Sequence, residues 1–380
     1  MPTEIQFQVK DMARNFSDEV VRPLAQELDE TERFPHELYL QMGKLGLFGI
    51  GVPEEEGGPG FDTVTYAMVM EELSRGYASV ADQCGLIELI TTLLVRHGTD
   101  VQKTAYLADV MAAKKLVAYC ITEPEAGTDV SGIRTEASQC EDGWILNGGK
   151  IWIHNAPVAD LGFVLARTDP SAGHRGMSIF IVDLNAKGVS RGQKEHKMGQ
   201  RASQVGALNF DNVWLPGTAL LGKQGRGFHM MMSVLDKGRV GIAALAVGIA
   251  QAGLEAAVEY AKQRKQFNQP ISEFQGVQWL LADIVKDVEA ARLLTRSAAE
   301  KIDHGKDATM ACSMAKCFAG DIAVKRSSDA VQVFGGTGYI RGFEVERLYR
   351  DAKITQIYEG TNQVQRMIIA RELLAKGATS

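Results

Sequence analysis

Several functional classes are closed to this chain by what it lacks. It has five cysteines in 380 residues, Cys84, Cys120, Cys140, Cys312 and Cys317. They are scattered, odd in number and without paired metal spacing, so neither a disulfide scaffold nor a zinc module is expected. Seven histidines are spread along the chain with no HxxxH-type pair, and no metal site is expected. Basic residues are outnumbered, 41 Lys+Arg against 47 Asp+Glu, which removes the electrostatic case for nucleic acid. No apolar run reads as long enough to span a bilayer. The amino terminus, MPTEIQFQVKDMARNF, has neither the pattern of a signal peptide nor that of a transit peptide. Reduced thiols and a cytoplasmic location of bacterial type are therefore expected. There is no internal repeat and no low-complexity stretch.

What is present divides into three parts. Up to about Ala118 the pattern is helical, as in VKDMARNFSDEVVRPLAQELDE, with VPEEEGGPGFD as a turn-rich break. From Tyr119 to about Arg226 come short β-rich runs: WILNGGKIWI, LGFVLARTD, GMSIFIVDL and ALNFDNVWLP. NGGK reads as a hairpin turn. From Gly227 onward long Ala-rich helical patterns return. Domains over 1–118, 119–226 and 227–380 follow from these changes.

Three segments carry chemistry. QIYEGTNQVQR sets Glu359 before Gly360, where main chain can approach a ligand closely and a carboxylate can reach an acidic C–H. YCITEPEAGTDVSG is a strand broken into a loop at Pro124, Gly127 and Asp129. QVFGGTGYIRGFEVERLYRDAKI carries Gly335, Gly336 and Gly338 after a helical pattern, without the spacing or the preceding strand of a dinucleotide fingerprint.

In this order, and with LDKGRVGIAALAVGIAQ and RKQF, the segments resemble the acyl-CoA dehydrogenase family over nearly the whole chain. The motifs are most similar to those of short-chain and branched-chain members. The resemblance implies a mainly α fold with a central β-barrel: an N-terminal α-domain, a middle β-domain and a C-terminal four-helix bundle. It implies FAD-dependent α,β-dehydrogenation of an acyl-CoA thioester to the trans-2-enoyl-CoA. Glu359 would be the α-proton base, flavin N5 the hydride acceptor, and a short, branched or cyclic acyl group the favoured substrate. In some relatives the base stands just before the arginine of the LDxxR stretch; here that position is Gly238, which leaves Glu359.

For the cofactor the resemblance implies Tyr119, Ile121, Thr122, Thr128, Trp152 and His154 around the ring and phosphate, and Thr361 and Gln363 on the adenosine diphosphate part. It implies that Arg264, Gln266, Phe267, Gln275, Gln332 and Gly336 reach a neighbouring subunit's FAD. Thr128, Asp236, Arg239, Tyr358, Glu359 and Gly360 would hold the thioester and CoA; an intrahelical ion pair is the alternative for Asp236 and Arg239. His154 stands where the family has Thr or Ser near flavin N5, and an imidazole still offers a donor there. The helix ADQCGLIELITTLLVRHG should line the acyl pocket, with Glu88 or Thr91 shaping acyl selectivity and solvent exposure or capping as the alternative. A homotetramer and an electron-transferring flavoprotein as acceptor are implied too. Alternatives within the fold are an acyl-CoA oxidase, or a desulfinating or decarboxylating member. The latter would want a cation in the acyl pocket, and no Lys or Arg lies between Tyr77 and Val95.

Overall fold

The computed structural model describes residues 3–376. The N-terminal part is helical: α1 (Glu4–Phe16), α2 (Ala25–Thr31), α3 (His36–Lys44), α4 (Thr63–Gly76), α5 (Ala78–His97) and α6 (Asp100–Met111). Side chains fix where several begin. Thr3 and Gln6 form a capping box at α1, Thr99 and Gln102 another at α6, and Asp62 accepts from Thr65 N at α4.

The middle part is an eight-stranded mixed sheet: β1 (Val117–Cys120), β2 (Glu136–Cys140), β3 (Gly143–His154), β4 (Leu161–Arg167), β5 (Met177–Asp183), β6 (Val189–Arg191), β7 (Val205–Pro216) and β8 (Leu220–Leu221). The order is β6-β7-β3-β2-β4-β5-β8, with β1 parallel to β4. Trp144, Phe180, Leu146, Val213 and Leu215 from three of these strands meet in one core, so the sheet curls around it. The expected boundary at 118/119 falls inside β1. NGGK is not a hairpin: Asn147 to Lys150 run straight through β3, and the turn is Glu141-Asp142, between Cys140 and its partner Gly143. The Gly pair instead sits at a register shift between β3 and β7, and a second shift lies between Lys150 and Ile153.

The C-terminal part holds α7 (Gly227–Gln263), a small hairpin of β9 (Lys265–Gln266) and β10 (Gln269–Pro270), then α8 (Gln275–Asp303), α9 (Thr309–Phe334), α10 (Glu344–Ala352) and α11 (Asn362–Lys376). α7 packs on α8 and α9 on one side and on α4 and α5 on the other, so one continuous core joins the two helical parts. This revises the reading of the apolar runs. α5 and α7 are long and apolar enough to cross a membrane, yet most of each is buried against other helices, as core helices are.

Candidate active site

Glu359 lies in the short connection between α10 and α11, with φ +54°, followed by Gly360 at +85°. Two consecutive left-handed residues reverse the chain and turn the carboxylate inward. The strain is held from α9 and α11. Lys316 on α9 is fully buried and donates to Gly360 O (2.7 Å) and Asn362 Oδ1 (2.9 Å). Gln365 donates to the carbonyls of Glu359 and Gly360 (3.1 and 3.0 Å). Asn362 donates to Cys317 O and Asp321 Oδ1. The sequence reading missed Lys316, Gln365 and Asn362, because only the packing of α9 brings Lys316 to the loop.

The Glu359 side chain keeps some exposed surface, but its Oε2 is covered and has no hydrogen-bond partner. Burial pushes its pKa up to about 7, against the pull of Arg239 and Lys316. α7 comes close enough because residue 238 is glycine. A Cβ there would stand 3.1 Å from Glu359 Oε2 and 3.1 Å from Leu89 on α5. Gly238 is thus the floor on which the carboxylate rests.

The next residues of α7 form a polar row. Asp236 and Arg239 pair within the helix (2.6 Å), and Asp236 also accepts from Thr309 (2.9 Å). The intrahelical pair therefore exists, yet Arg239 keeps a buried, unpartnered Nε and is close enough to act on Glu359. Tyr358 receives a hydrogen bond from Gln200 on its hydroxyl (3.3 Å).

The β-domain carries the residues expected around the cofactor ring. Trp152, at the second register shift of β3, adopts φ +55° and is 61% exposed. A strained backbone presenting a bare indole suits a flat ring stacked on it. Tyr119 hydroxyl donates to Met231 O on α7 (3.1 Å), and Thr122 O accepts from Ile151 N (3.0 Å). Beneath them Lys150, buried, bonds Ile121 O (2.9 Å) and Glu123 (2.8 Å), while Glu123 accepts from the amides of Arg134 and Thr135. This buried pair, unnoticed in the sequence, fixes the loop that carries the exposed Thr128.

His154 Nδ1 lies 3.2 Å from Asp82 on α5, which also accepts from Ser203 (3.1 Å). Burial lowers the His154 pKa, which favours the neutral ring, and Nδ1–H then donates to Asp82. Its buried Nε2 then has no proton to donate and no partner. The sequence reading expected a donor there; the pairing of Nδ1 with Asp82 favours an acceptor at Nε2 instead.

Thr91 donates to Ile87 O (2.9 Å) and Glu88 O within α5, so its hydroxyl is taken up by the helix. Glu88 is neither exposed nor a cap. It is 1% exposed and pairs with Lys237 on α7 at 2.5 Å. No Lys or Arg lies between Tyr77 and Val95, and α7 supplies the cation.

The remaining cofactor candidates lie elsewhere. Arg264, Gln266 and Phe267 at the far end of α7, with Gln275, Gln332 and Gly336, are exposed. Arg264 is separated from Gly238 by 26 residues of this one helix, roughly 39 Å at the rise of an α-helix. They do not belong to the Glu359 crevice of their own chain. Thr361 caps α11 by accepting from Val364 N (3.2 Å), and Gln363 is exposed beside it. Among the described residues, no group of three His, Cys, Asp or Glu side chains is placed to hold a metal ion.

A carboxyl group of raised basicity with one covered oxygen, together with an exposed, strained indole on the β-domain, suits a flavin-dependent oxidoreductase. Family comparison agrees. The acyl-CoA dehydrogenase N-terminal, middle and C-terminal domain models match residues 3–114, 118–213 and 225–374. The chain belongs to the acyl-CoA dehydrogenase family, and its cofactor is FAD. It is similar to an acyl-CoA dehydrogenase of Bacillus subtilis (44% identity, 98% of each chain covered). It is also similar to the caffeyl-CoA reductase-Etf complex subunit CarC of Acetobacterium woodii (41%, 97% of this chain and 98% of that one). Its structure is similar to that of the butyryl-CoA dehydrogenase from Megasphaera elsdenii, with TM-score 0.96 at 41% identity over 98% and 99% of the two chains.

Proposed function

We propose that this enzyme dehydrogenates a short, branched or cyclic acyl-CoA between the α and β carbons, giving the trans-2-enoyl-CoA. The observation that carries the reading is Glu359: a buried, unpartnered carboxyl oxygen with its pKa near 7, held in a strained loop over Gly238. Such a group is a base matched to a weakly acidic α C–H. The Glu359 main-chain N–H is a donor for the thioester carbonyl, where the charge of the enolate develops. Arg239 and Lys316 favour the charged form of the carboxylate before proton transfer. FAD, when bound, supplies the acceptor for the β-hydride. Trp152 and the Tyr119–Thr122 backbone would hold its ring.

The exposed residues at the end of α7 support a homotetramer in which they complete a neighbour's cofactor site. Phe267 (89% exposed), Tyr339, Trp279, Leu293 and Met367 leave large apolar surface bare on the helical side, as an oligomer interface does. An electron-transferring flavoprotein is the proposed acceptor, in keeping with the Etf complex of the Acetobacterium relative. The five unpaired thiols fit a cytoplasmic location.

Anaerobic titration of the flavoprotein with butyryl, isobutyryl, isovaleryl and cyclohexanoyl thioesters tests this reading. Bleaching of the flavin by one or two members, abolished by Glu359→Gln, is expected. Bleaching that survives the substitution refutes Glu359 as base. Oxygen uptake without an added acceptor would move the enzyme to the oxidases.

A further inference from the structure

A cavity of about 400 Å³ opens where three parts of the chain meet: the Arg22–Leu24 turn with α2, the start of α10, and Arg201 from the loop between β6 and β7. None of the catalytic, cofactor or CoA candidates lines it. Three of the acids in its wall are held by arginines. Glu344 pairs with Arg22 (3.1 Å), and Asp29 and Glu346 both pair with Arg350 (2.6 and 2.7 Å). Glu30, on the exposed rim, accepts from Gln26 (2.9 Å). Two of the lining cations are not held. Among the described residues, neither Arg341, which is exposed, nor Arg347 has a hydrogen-bond or ion-pair partner. Arg347 is 6% exposed, its Nε is covered and bare, and its guanidinium lies over the Tyr77 ring at 5.4 Å. Asp351 feels that charge, but its Oδ1 accepts from Gln200 N and its Oδ2 has no partner. A buried guanidinium without a counterion is destabilising unless something polar meets it.

The walls constrain what meets it. A guanidinium offers parallel N–H donors that match a planar carboxylate, and the contact with Tyr77 holds the fork in place. The first turn of α10, which has no side-chain cap, adds main-chain N–H groups beside Gly342 and Phe343 at the same cavity. Phe334, Phe343 and Pro23 give the cavity apolar surface, which suits a ring. The acids in the wall set the charge: one carboxylate finds Arg347 and Arg341, whereas a polyphosphate would also meet Glu30, Glu344 and Glu346. We infer that this cavity is a second ligand site, taking an aromatic monocarboxylate with its carboxylate on Arg347 and its ring against Phe343. The inference goes beyond acyl-CoA dehydrogenation and does not depend on it.

Benzoate and 2-naphthoate, their neutral amides, and ATP are titrated calorimetrically into the FAD-loaded full-length enzyme. Each carboxylate is expected to bind about 10- to 100-fold more tightly than its amide, the range for a hydrogen bond between charged groups. Arg347→Met, checked for flavin content and melting temperature, should erase that ratio. Arg341→Gln, on the exposed rim, should weaken the carboxylates by about 2- to 5-fold, as loss of an exposed charge does. If Arg347→Met fails to fold, the acid–amide ratio in wild type and the Arg341→Gln value still decide. Equal binding of acid and amide overturns the inference, as does no binding at all, which would mean that water or a neighbouring subunit fills the cavity. Tighter binding of ATP than of either carboxylate overturns the single-charge class. Displacement of 2-naphthoate by butyryl-CoA from Glu359→Gln enzyme would put the ligand in the substrate crevice and overturn the second site; simultaneous binding of the two is expected. Glu359 takes no part in this binding, so failure here leaves the assignment of the base untouched.

Discussion

Glu359 ties activity and stability to the same proton, with opposite signs. Its pKa is lifted from an ordinary 4.5 to about 7 in the folded enzyme. The folded state therefore holds a proton that the unfolded chain releases between these values, and stability falls as pH rises through that window. The lift corresponds to roughly 3 kcal/mol, fully present below the unfolded pKa and lost above about pH 7. Activity runs the other way, because the base must be ionised; kcat/KM should rise with pH and level off above about 7. Glu359→Gln keeps the shape and removes the titration. It should lower turnover by about 100-fold or more. It should also melt higher than wild type at pH 8, and close to wild type at pH 5. Melting curves at both pH values, set beside the pH profile of wild-type kcat/KM, check both signs. Parallel melting behaviour of the two proteins, or a wild-type profile flat between pH 5.5 and 8, would refute the burial argument for Glu359.

Other substitutions follow from the same contacts. Gly238→Ala should reduce turnover far more than it lowers the melting temperature, because the new Cβ meets the catalytic oxygen at 3.1 Å; equal effects on both would deny Gly238 its role under the base. Lys316→Met leaves Gly360 O and Asn362 Oδ1 without their donor. It should destabilise by about 1–3 kcal/mol and loosen the Glu359 loop, read as faster amide exchange from 357 to 362. Lys150→Met strands the buried Glu123 and should cost about 3–5 kcal/mol in a melt, with loss of bound flavin. Trp152→Ala should release FAD on dilution while leaving the flavin-free melt nearly unchanged, since the indole is largely exposed.

The order of helical, β-rich and helical parts was legible because periodicity is local: 3.6 in α1 and α7, alternation in β3 and β7. Glu359 could be proposed from the sequence because it lies within a segment whose whole arrangement resembles the family's. The turn was misread for a local reason: two glycines signal a bend equally well in a hairpin and in a bulged strand, and here pairing with β7 carries Asn147 to Lys150 straight through. Lys316, Lys150 and Gln365 left no mark in the sequence, since a buried cation looks like any other lysine until its partner is known. His154 could be named as a departure, but its pairing with Asp82 on another element and its burial could not.

By itself the sequence determined the class of chemistry, the three-part layout and the residue proposed to take the proton, because each is written in residues close together in the chain. Only the tertiary structure decided how basic that residue is and which side chains hold its loop. Both depend on burial and on charges from α5, α7 and α9 converging at one point, and convergence of distant segments is a property of packing that no local pattern encodes.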